Sequence, residues 1–158
     1  MRSGWRLLSL VVVCGVMVCP VAMAAKPKVP VPSTWTLDVM RSDFGDGPGM
    51  KSDVFTVHSD TAALLSLDFV TVDDQGRTMK SAWNGPQNGK LLPVDGMSGT
   101  SFGIDVQGDE HWVFADGSSS VGKLSVSKDK QSLMVRLTVQ GKDGKVYRQV
   151  LMYSRTDM

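Results

Sequence analysis

From Thr34 onward the chain is written in short runs of alternating apolar and polar residues, cut by glycine, asparagine and aspartate. The clearest run places Leu133, Val135, Leu137 and Val139 on one side and Met134, Arg136, Thr138 and Gln140 on the other. That period of two predicts a strand with one buried and one wet face, as an antiparallel sheet requires. Leu65, Leu67 and Phe69 form a similar apolar face, opposite a mixed one of Ser66 and Asp68 with Leu64, Val70 and Val72. Strands are expected over 34–39, 53–58, 64–72, 77–83, 91–94, 101–106, 110–115, 120–126, 132–140 and 146–154. Asp73 to Gly76, Asp95-Gly96, Gly108-Asp109, Asp116-Gly117, Lys128 to Gln131 and Gly141 to Gly144 supply the tight connections between them. No amphipathic helix of ten or more residues is visible. The fold class is therefore all-β: an antiparallel up-and-down meander of eight to ten short strands. Such a meander exposes two edges unless it closes, so a closed barrel is preferred and a sandwich is second. An outer-membrane barrel is disfavoured, because its strands need about 9 to 11 residues. Most runs here are shorter, and the chain ends in the polar Ser154 to Met158.

The segment before these strands reads differently. Arg2 and Arg6 precede an apolar run from Leu7 to Val18, Pro20 breaks it, and Ala22-Met23-Ala24 has the small-x-small pattern that signal peptidase recognises. Residues 1–24 are expected to be an export signal, which places the mature protein in the periplasm or outside the cell. An uncleaved anchor is the weaker alternative, since the Pro break and the Ala-x-Ala site are processing features. A lipoprotein signal is weaker still, because no small residue precedes Cys14 or Cys19 at the position such a site wants. Residues 25–33 carry Pro27, Pro30 and Pro32 and form an extended lead-in, leaving 34–158 as one domain.

Removing the signal alters the composition. Both cysteines depart with it, so the mature domain has neither disulfides nor thiolate metal sites. With about 133 residues it is large enough to bury roughly two thirds of its surface in one core. Arg2 and Arg6 also leave, and the net charge moves from +1 to −1 against the 16 acids that stay. A near-neutral domain is poorly suited to nucleic acid or to an anionic membrane surface. All the acids but Glu110 are aspartates, which favour turns over helices.

Ser33-Thr34-Trp35-Thr36-Leu37-Asp38, then Arg41-Ser42-Asp43-Phe44-Gly45, Pro48 and Lys51-Ser52, resemble the start of small secreted bacterial proteins of lipocalin-like, calycin-type barrel fold. Lys128 to Leu133, Gly141 to Lys145 and Val150 to Tyr153 are similar in order and spacing, so the resemblance covers nearly the whole mature chain. Lipocalins close one end of the barrel with a Gly-x-Trp on the first strand and stack a basic residue of the last strand on that ring. The resemblance implies that Trp35 is the ring and Arg155 or Arg148 the cation, a contact worth about 0.5 to 2 kcal/mol. Ser33 stands at the glycine position, and the chain stops after its last strand, where full lipocalins continue into a helix.

Candidate chemistry is sparse. His58 and His111 fall in no metal-ligand spacing, and in Asp109-Glu110-His111 only Asp109 and His111 share a strand face, so no metal site is expected. No Gly-x-Ser-x-Gly elbow occurs, and Gly45 to Gly49 lacks the preceding strand and lysine-bearing helix of a phosphate loop. No catalytic residue or cofactor is expected. The aromatic positions remain: Met79, Ser81 and Trp83, Phe102 with Ile104, and Trp112 with Phe114 each share one face of a strand. Pointing inward, they either fill the barrel or line a cavity for a small hydrophobic ligand, with Ser81 as a polar contact. An enclosed apolar space of about 300 Å³ or more separates these outcomes. A filled barrel instead suits an envelope module that docks a protein partner through Gly45 to Gly49 or Asn84 to Gly89, the two longest glycine-rich loops.

Overall fold

A computed structural model describes residues 28–157, so the expected signal segment 1–24 lies outside the described residues. The rest is one antiparallel sheet of ten strands: β1 (Ser33–Leu37), β2 (Met50–Asp60), β3 (Leu65–Asp73), β4 (Thr78–Gly85), β5 (Leu92–Pro93), β6 (Ser101–Ile104), β7 (Asp109–Val113), β8 (Ser119–Val126), β9 (Ser132–Gln140) and β10 (Val146–Arg155). Among the described residues the only helical piece is a single 3-10 turn, Val39–Arg41, capped by Asp38. None of them forms a helix long and apolar enough to cross a membrane.

Each strand except β4 and β5 pairs with its neighbours in sequence, and β1 also pairs with β10, aligning Trp35 with Arg155 and Leu37 with Tyr153. The remaining gap lies between β4 and β5. It is bridged just beyond β5, where Ala82 and Asp95 exchange both backbone bonds at 2.9 and 3.0 Å. The meander is thus a nearly closed up-and-down barrel. Closure here depends on Gly96, whose φ of +81° suits glycine, and at which a Cβ would sit 2.4 Å from the Lys80 carbonyl oxygen.

Alternation sorts the side chains as expected on β9, where Leu133, Val135 and Val139 are buried and Arg136, Thr138 and Gln140 are exposed. The two ends of the barrel differ. At one end Trp35 and Trp83 are fully buried and Val29 from the lead-in packs with them, forming a floor. Asp60 ties this end together: it accepts from the Val29 backbone N–H at 2.9 Å and from Gln87 Nε2 at 2.7 Å. At the other end lie residues 38–49, the β3–β4, β7–β8 and β9–β10 turns, and the β5–β6 connection.

Candidate functional site

The interior is a cup. An apolar cavity of about 660 Å³ runs from the floor to the far end, more than twice the volume that separates a hollow barrel from a filled one. Its walls receive Met79 and Ser81 from β4, Phe102 and Ile104 from β6, Trp112 from β7 and Phe114 from the turn that follows. Trp83, although in phase with Met79 and Ser81, does not reach the wall. It lies in the floor, edge-on to Phe102 at 5.1 Å, and its indole N–H has no partner. Gly85 makes room for it, since a Cβ there would stand 2.6 Å from the Trp83 ring.

The aromatic lining is continuous. Phe102 lies 4.3 Å from Trp112, Trp112 stacks on Phe114 at 5.9 Å and meets the edge of Phe69 at 5.8 Å, and Phe69 leads to Phe55 and Tyr153. These rings come from β2, β3, β6, β7 and β10, so they belong to the wall as a whole.

Three buried ionisable groups, Asp53, Glu110 and Tyr153, interrupt this surface, and the sequence did not single them out as a site. Asp53 on β2 is buried and accepts from Thr71 Oγ1 at 2.5 Å and from the Tyr153 hydroxyl at 2.9 Å. Burial raises its pKa, and these two hydrogen bonds pull it partly back. Tyr153 is shifted well upward, first by burial and then by the neighbouring Asp53 charge, with a smaller push from Glu110. Glu110 on β7 is 9% exposed, and burial pushes its carboxyl up to about 7, opposed only by a hydrogen bond with the Trp112 side chain. Gly122 faces Glu110 across the β7–β8 pair: a Cβ there would clash with the Leu137 side chain at 2.5 Å and the Arg136 carbonyl oxygen at 2.6 Å and would touch the Glu110 Cγ at 3.4 Å.

At the far end, which is the mouth, carboxyl groups outnumber bases in the cavity lining. Asp73, Asp74 and Asp116 reach the cavity there, with Arg77 as the only base among the described lining residues. Arg77 is already engaged, its Nε 2.6 Å from Asp73 and its backbone N–H donating to the same carboxylate, which lies below the usual range. The glycine-rich loops are integral to this architecture. Pro48 and Gly49 border the mouth, Gly45 rests against the Arg148 carbonyl, and Gln87 of the second loop is buried in the floor.

Trp35 is fully buried and stacks on Phe55 with centroids 6.4 Å apart. Its indole N–H donates to Ser33 Oγ at 2.9 Å, so the serine at the glycine position satisfies a buried donor. Of the two candidate cations, Arg155 is the cross-strand neighbour of Trp35 and forks onto Asp157 at 2.8 and 2.9 Å. Arg148 is exposed at the mouth end of β10. His58 pairs with Asp68 on the outer surface at 2.8 Å, and Asp109 is held outside by Lys123 at 2.9 Å. Among the described residues no group of three or more His, Cys, Asp or Glu is placed to hold a metal.

No protein-family model matches the chain, and no curated protein sequence matches it either.

Proposed function

We propose that the protein is exported and carries a small, predominantly apolar ligand inside its barrel, in the manner of lipocalin-like binding proteins. One observation carries this reading: a cavity of about 660 Å³ with an aromatic and aliphatic wall. That volume lies within the range of sites that enclose small molecules. Burying a ligand there gains about 0.8 kcal/mol per methylene removed from water. The fully buried floor around Trp35 and Trp83 supports a single entrance through the mouth. Export rests on Arg2, Arg6, the apolar run and Ala22-Met23-Ala24, and places the protein in the periplasm or beyond it.

The test is a titration with N-phenyl-1-naphthylamine, an uncharged dye that fluoresces in apolar surroundings. Saturable binding is expected, and Leu137→Trp, which narrows the cavity from β9, is expected to weaken it while the circular dichroism of the barrel stays unchanged. Undiminished binding by the folded variant would place the dye elsewhere and contradict the reading.

A further inference from the structure

The cavity is apolar in shape but one-sided in charge. Five carboxyl groups reach it, from Asp53, Asp73, Asp74, Glu110 and Asp116, against the one guanidinium of Arg77, which Asp73 already occupies. Lysines approach only from outside the lining: Lys51 Nζ stands 3.4 Å from the position of a Cβ on Gly76, and Lys142 acts on Asp116. A ligand carboxylate or phosphate would therefore meet mostly carboxyl groups along the lining, and no cation beyond Arg77 at the mouth.

Of the two deep carboxyl groups, Asp53 is committed to Thr71 and Tyr153. Glu110 has a single hydrogen-bonding side chain beside it, that of Trp112. Its side chain is more than nine-tenths buried, it lines the cavity, and its facing groups are the Trp112 side chain, the bare Cα of Gly122 and, across the interior, the Tyr153 hydroxyl. None of these is a cation. The wall beside it is aromatic, with Trp112 in contact with both Phe102 and Phe114, and aromatic rings attract cations and not anions over their faces.

We infer that the ligand is a cationic amphiphile, with an apolar body held by the aromatic wall and one protonated amino group paired with Glu110. This rests on the ligand-carrier reading above and narrows it to a chemical class. Partnering a buried carboxylate with an ammonium in a water-poor site makes a charge-assisted hydrogen bond, about twice as strong as a neutral one. It also excludes free fatty acids of the same length, whose head group would face Glu110 and Asp53.

Three twelve-carbon probes that differ only in the head group test this at pH 8: dodecylamine, dodecanol and dodecanoate, followed by quenching of tryptophan fluorescence in the mature protein. The amine is expected to bind roughly ten-fold tighter than the alcohol, a difference of about 1.4 kcal/mol, and dodecanoate most weakly. Glu110→Gln, which keeps the shape of the side chain, is expected to bring the amine's affinity down to that of the alcohol. Lowering the pH from 8 to 5.5 takes Glu110 through its titration near 7 and is expected to weaken the amine alone. Dodecanoate binding as tightly as dodecylamine, or Glu110→Gln weakening all three probes alike, would overturn the inference while leaving the carrier reading in place. Failure of all three probes to bind would overturn both.

Discussion

Replacing Glu110 by glutamine changes one buried carboxyl and little else, and its effect on stability follows from the direction of its titration. Burial moves the group from 4.5 to about 7. In the unfolded chain it releases its proton near 4.5, whereas in the barrel it holds the proton until about 7. Between these values the native state binds more protons, so stability is complete below about pH 4.5 and drains as the pH climbs through 7. At 1.36 kcal/mol per unit, the loss amounts to about 3 kcal/mol by pH 8. Glutamine keeps the length and polarity of the protonated acid and has no proton to lose, so it escapes the penalty. Asp53 is also shifted upward by burial and gives a slope of the same sign, but it does so in both proteins and cancels in the difference. Urea unfolding at pH 4.5, 6 and 8 measures this directly. The expected result is near-equal stability at pH 4.5 and a variant about 2 to 3 kcal/mol more stable at pH 8. A difference that stays constant across this range would refute the reasoning, since it would mean that Glu110 titrates alike in the folded and unfolded chains.

Three further substitutions probe the rest of the barrel. Tyr153→Phe removes the hydroxyl that donates to Asp53 and is expected to cost about 1 to 3 kcal/mol in urea unfolding at pH 7, with a smaller cost at acidic pH, where Asp53 is protonated. Trp35→Ala opens a hole in the floor and frees the Ser33 hydroxyl, so a loss of about 3 to 5 kcal/mol is expected, read as a fall in melting temperature of several degrees or more. Gly96→Ala forces a Cβ against the Lys80 carbonyl at the seam and is expected to speed hydrogen exchange at the Ala82 and Asp95 amides before those of β9 and β10.

The strands were legible because alternation depends on one residue at a time. β9 lies over 132–140, as its run of Leu133, Val135, Leu137 and Val139 predicts, and most other strands differ by a few residues at an end. β2 is longer than its run, since it begins at Met50 and ends at Asp60 beyond a shift in register between Val57 and Ser59. The seam was not legible: β5 has two residues, and one bridge between Ala82 and Asp95 does the closing, which no periodicity encodes. Trp83 shows a second limit. Period two gives the face of a strand but not the height along the barrel, and height decides between floor and wall. The buried acids did leave a signal. Asp53 is in phase with Phe55 and Val57, and Glu110 with Trp112 and Phe114, so each is a carboxyl set in an inward-facing apolar row. In Asp109-Glu110-His111 the outer two residues share the face a metal would need, whereas the interior residue is the one between them.

The most direct measurement of the carrier reading is native mass spectrometry of the mature protein, purified without detergent from the cells that export it. A population heavier than the polypeptide by one small molecule is expected, the ligand being released on collisional activation and detected in positive-ion mode as an amine-bearing amphiphile. A spectrum of bare polypeptide alone, from protein that also fails to take up N-phenyl-1-naphthylamine, would contradict that reading.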